Sequence, residues 1–185
     1  RQRQMCIRDS ANSAALAFRH EVEQKNQSSI LESANSLTAA YFRIDTKIKS
    51  LDSILNFFNE MLREKNWYTS KLPADRKLFK IPCVFGTELA PQFEKVIKLA
   101  GISRSQAILE FTTTRTRVMT IGFSPGQPYA GLISKKWDLP RLSEVSKSVP
   151  KSALVCAIRQ LIIFSNSTPT GWHHIGQTAF ECLSL

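Results

Sequence analysis

The sequence predicts an α+β protein: a long N-terminal amphipathic heptad helix, then a compact mixed domain with a small sheet and a buried C-terminal helix. Three observations predict it. Apolar residues recur at alternating spacings of four and three through Ile30, Ala34, Leu37, Tyr41, Ile44, Ile48, Leu51, Leu55, Phe58 and Leu62, and no Gly or Pro interrupts residues 11–72. Beyond that point short β-branched and apolar runs alternate with Pro- and Gly-bearing turns. Near the end, "SALVCAIRQLIIF" (152–164) sets Leu154, Ile158, Leu161 and Ile162 at helical spacing.

Taken in order, residues 1–10, "RQRQMCIRDS", read as a non-native or disordered tail and are set aside. Residues 11–65 read as a long helical arm. From Ile30 to Leu62 it would span roughly 50 Å at ~1.5 Å per residue, longer than a small domain needs. Asp45, Lys47 and Asp52 flank the apolar seam with polar groups, as in a coiled coil. Ile54, Phe57 and Met61 then widen the stripe, so the C-terminal end of the arm is expected to be embedded. Leu37, Tyr41, Ile44, Ile48 and Leu51 are the expected oligomerisation positions, and residues 30–62 would join copies of the chain or dock on partner helices.

Residues 66–185 read as the mixed α+β domain. "LFKIPCVF" (78–85) predicts a strand, on an edge because of Pro82. "APQFEKVIKLAG" (90–101) predicts a helix that starts near Pro91 and stops at Gly101. "ISRSQAILEF" (102–111) opens with Ser103 as cap and Gln106 three residues on, a capping box. "TTTRTRVMTIGF" (112–123) predicts a strand, "SPGQPYAG" (124–131) a turn and "LISKKW" a short strand. "SNSTPTG" ends the buried helix, and "GWHHIGQT" (171–178) reads as a packed turn plugged by Trp172.

Composition narrows the class. The chain is 43% hydrophobic and 22% charged, with eleven Phe, which excludes intrinsic disorder. Lys and Arg exceed Asp and Glu by 25 to 15, and the pI is near 9.7. Residues 1–65 hold ten basic and eight acidic groups (+2), whereas residues 66–185 hold fifteen and seven (+8), so a footprint for a polyanion belongs to the second part. Cys6, Cys83, Cys156 and Cys182 are too scattered for a disulfide framework or zinc finger. No run is long enough to insert in a membrane, and an intracellular setting (cytoplasm or an organelle matrix) is expected. No G-x-S-x-G, phosphate-cradling loop, H-E-x-x-H or dinucleotide fingerprint occurs.

Adjacent His173 and His174 diverge in either strand or helix, and no carboxylate stands at i+3 or i+4 from them, so no metal site and no cofactor is expected. A catalytic pairing of either with Cys156 is the weaker alternative to a structural role.

"EKVIKLAGISRSQAILEF" (94–111) resembles the helix-turn-helix of lactose-repressor-type DNA-binding proteins, through Val96, Leu99-Ala100-Gly101, Ile102 and the cap Ser103. The resemblance implies that Arg104 and Gln106 read base edges or bind phosphates. Ile108, Leu109 and Glu110 depart from the family pattern. Downstream, Arg115 and Arg117 alternate onto one side of a strand. Lys135, Lys136 and Arg141, with Lys71, Arg76, Lys77 and Lys80 upstream, would extend a phosphate-tracking surface on which Trp137 or Tyr129 could stack bases. The expected function is a non-catalytic nucleic-acid-binding accessory protein that oligomerises through its long helix. The alternative is a structural or scaffold subunit of a larger complex, ribonucleoprotein included, with no enzymatic activity of its own.

Overall fold

The 30–62 seam does not form one helix. In the computed structural model, which describes residues 2–25 and 27–183 with side chains from Ser10 onward, it is cut into a hairpin and a shorter helix. α1 (Gln2–Gln24) is followed by β1 (Ile30–Asn35), β2 (Ala40–Ile44) and α2 (Leu51–Glu64). The hairpin closes where Ser36 N–H donates to the Ala39 carbonyl, with Asn35 opposite Ala40 and Ala34 opposite Tyr41. The expectation fails for a geometric reason: a step of four residues is one helical turn and also two strand periods. Leu37 lies in the hairpin turn, Tyr41 and Ile44 on β2, Ile48 in the next turn, and Leu51 opens α2, so the five expected oligomerisation residues share no seam.

The chain divides into two units, Arg1–Lys77 and Leu78–Leu185. In the first, Ala14 and Val22 of α1 and Met61 of α2 are buried with Trp67, which sits in a short 3-10 turn (Trp67–Thr69). Phe18 packs edge-on to Trp67 with centroids 5.0 Å apart, and Phe42 of β2 lies 5.0 Å from Phe58 of α2. Ser50 caps α2 by accepting from Ser53 N–H, and the Trp67 indole donates to the Met61 carbonyl at 3.1 Å.

The second unit is built on a six-stranded antiparallel sheet. Its strands are β3 (Cys83–Phe85), β4 (Arg117–Ile121), β5 (Pro128–Gly131), β7 (Ala153–Ala157), β8 (Gln160–Ile163) and β10 (His173–Thr178), in the order β3-β10-β7-β8-β5-β4. A separate pair, β6 (Ser146–Val149) with β9 (Thr168–Thr170), forms a two-stranded sheet. α3 (Phe93–Ala100) and α4 (Arg104–Thr113) cover one face, where Phe93, Val96, Ile97 and Ala107 meet Leu154, Cys156, Leu161 and Ile175. On the other face Ala153, Val155, Ala157, Ile162, Phe164 and Trp172 cluster with Val149 of β6.

The expected buried C-terminal helix is therefore the β7–β8 hairpin. Burial on both faces turns each strand into a continuous apolar run, and such a run has no periodicity to separate it from a buried helix. The hairpin turns through Ile158 and Arg159, at φ 42° and 63°. These are left-handed conformations that a two-residue turn requires and a β-branched residue resists. The turn is held from outside: Ile158 N–H donates to the Leu139 carbonyl, Arg159 N–H to that of Trp137, and Arg159 Nε–H to that of Ile133.

Three smaller expectations change as well. The strand expected from residue 112 begins only at Arg117, because α4 continues to Thr113 while the Thr112 and Thr113 hydroxyls donate back to the Ile108 and Leu109 carbonyls. "LISKKW" is not a strand but leads into a 3-10 turn, Lys135–Trp137. "GWHHIGQT" is not a packed turn: its last six residues form β10, paired on both sides.

Candidate functional site

The helix pair α3–α4 has the local geometry its sequence implies. Gly101 ends α3 at φ 68°, and Ser103 with Gln106 completes a reciprocal capping box at the start of α4. Those same contacts remove it from base reading. The Gln106 amide accepts from Ser103 N–H, and the Arg104 guanidinium pairs with Glu94 while donating to the Phe85 and Gly86 carbonyls at 3.0 and 3.1 Å.

The remaining basic candidates are scattered in role. Arg117 lays its guanidinium on the Met119 sulfur at 3.3–3.4 Å, Lys136 pairs with Glu110, and Arg141 sits 5.4 Å over the Trp172 ring. Arg115 and Lys135 are exposed. Lys71, Arg76 and Lys77 belong to the first unit. Trp137 is 1% exposed and so cannot stack a base, and half-buried Tyr129 stands edge-on to Trp172.

On β10 the two histidines leave the sheet on opposite faces, His173 opposite Cys156 and His174 opposite Val155. Both are buried. A His173 ring nitrogen, Nε2, lies 2.9 Å from the Pro140 carbonyl. Burial pushes the Cys156 thiol up to about 12, so it stays protonated and is no nucleophile near neutrality. Among the described residues no group of three His, Cys, Asp or Glu converges as a metal site would require. Gln92, the residue capping α3, clamps the strand: its N–H donates to the His174 carbonyl and its side-chain oxygen accepts from His174 N–H.

Burial holds the His174 imidazole below its ordinary value of 6.5, partly offset by hydrogen bonding to the Gly176 backbone and the Gln177 amide. The unfolded chain then takes up a proton that folded His174 refuses. Stability should fall as pH drops below about 6.5 and level off below the folded value. Urea unfolding of wild type and His174→Gln across pH 7 to 5 checks this; equal slopes would show that His174 does not set the dependence.

The chemistry of the second unit concentrates beside α4. Glu110, Phe111, Thr114, Thr116, Ile133, Ser134, Trp137 and Leu161 line a narrow cleft of ≈ 40 Å³, about the space of one water molecule. One carboxylate, three hydroxyls and two aromatic planes therefore converge there. Phe111 and Trp137 pack with centroids 4.2 Å apart. The Trp137 indole N–H donates to Glu110 Oε2 at 3.0 Å, and Lys136 binds Oε1. The Lys136 ammonium chiefly, with help from the indole, holds the Glu110 carboxyl below its usual range, so it is anionic at neutral pH.

Of the sequence candidates, Trp137 lines this cleft and Lys136 reaches its Glu110 by an ion pair. Glu110, Ser134 and the threonines were missed, although Glu110 had already shown itself as a misfit to the helix-turn-helix pattern. The first unit holds a wider cleft of ≈ 480 Å³, lined in part by Ala11, Ala14 and Ala15. Its lysine, Lys65, is committed to Glu21 and to the Trp67 ring 4.4 Å away.

Comparison with known proteins gives one family: the model for the carboxyltransferase domain, subdomain C and D, matches residues 3–184. A 5-oxoprolinase subunit of Bacillus subtilis (strain 168) is 35% identical over 104 residues, 56% of this chain and 43% of that protein. Its counterpart in Escherichia coli O157:H7 is 28% identical over 121 residues, 64% of this chain and 56% of that protein. The matches thus span about half the length of these curated relatives. Among solved structures, TTHA0988 superposes with a TM-score of 0.75 at 22% identity, covering 92% of this chain and 32% of that one. Kluyveromyces lactis urea carboxylase gives 0.66 at 14% identity, covering 91% and 17%. These two show likeness of fold alone.

The sequence matches overturn the helix-turn-helix assignment, the nucleic-acid partner and the non-catalytic readings together, since the relatives are subunits of an enzyme. Among the described residues no helix is long and apolar enough to cross a membrane.

Proposed function

The chain belongs to the carboxyltransferase domain family, subdomain C and D, and we propose that it acts as part of an intracellular, multi-subunit enzyme of the 5-oxoprolinase kind, with other enzyme subunits as its partners. The observation that carries this reading is the family match over nearly the whole chain, reinforced by 35% identity to a known 5-oxoprolinase subunit.

The test is reconstitution. The chain, mixed with the companion 5-oxoprolinase subunits of its own source, should release glutamate from 5-oxoproline in the presence of ATP, and omission of the chain should abolish the release. Failure in a mixture that becomes active when the homologous Bacillus subtilis protein is supplied instead would refute the assignment.

A further inference from the structure

We draw no further inference here: the strongest candidate, the ≈ 480 Å³ groove of the first unit where Phe18 of α1, Leu62 of α2, Trp67 and Tyr68 meet the β1–β2 hairpin, is an open apolar face, and nothing in the structure shows what covers it.

Discussion

Trp137→Ala should cost the second unit about 3–5 kcal/mol, the range for removing a large aromatic from a closed core. The indole is 1% exposed, the ring of Phe111 lies 4.2 Å from it, and Ile133, Leu139, Leu154 and Leu161 belong to the same cluster. Removal leaves a void that this rigid surrounding cannot close, and it takes one of the two hydrogen-bond donors from Glu110. The loss should therefore appear as a lower urea midpoint for the Leu78–Leu185 unit. Trp137→Phe separates packing from the indole hydrogen bond. It keeps most of the packing and forfeits only the indole hydrogen bond, net about 0.5–1.5 kcal/mol. A midpoint shift in Trp137→Ala equivalent to less than ~1 kcal/mol would mean that the ring does not anchor this wall.

What the sequence made legible, and what it hid, follows from the range of each signal. The start of α4 was readable because a capping box is completed within four residues, Ser103 to Gln106. The end of α3 was readable because Gly101 has to adopt a left-handed conformation there. The β1–β2 and β7–β8 hairpins were not. In the first, steps of four satisfy strand and helix alike. In the second, the turn at Ile158-Arg159 has none of the Asn or Gly that a left-handed pair normally demands, and its stabilising partners lie some twenty residues earlier, at Ile133, Trp137 and Leu139. A turn held by tertiary contacts leaves no local trace.

The site obeys the same logic. Lys136 was noticed for its charge, but its meaning depends on Glu110, twenty-six positions away and approached only after the sheet is assembled. Reading Lys136 as one member of a basic surface overlooked that several of these cations have local partners of their own. Arg104 is bound to Glu94 and two carbonyls, and Arg117 to a methionine sulfur. Net charge is a property of the chain, whereas a phosphate-binding face requires cations left available together. The divergence of His173 and His174, by contrast, needed only the parity of a strand, and their burial on opposite faces follows it.

Trp172→Ala should likewise cost about 3–5 kcal/mol, while His173→Ala and His174→Ala should each cost less, about 1–3 kcal/mol for a broken buried hydrogen bond. Trp172 is 6% exposed and sits among Ala153, Val155, Ala157, Ile162 and Phe164. Tyr129 packs edge-on to it at 6.1 Å and Arg141 covers it at 5.4 Å, so the ring ties β10 to β5, β7 and β8 from the face that the helices do not cover. His173 contributes its contact with the Pro140 carbonyl, and the clamp on His174 by Gln92 uses only backbone atoms of the histidine. That clamp survives substitution of the side chain, which is why His174→Ala should be tolerated better than the two adjacent burials suggest. Chemical denaturation of the three variants ranks them. A histidine variant less stable than Trp172→Ala would place the weight of this strand on its polar groups and not on the indole.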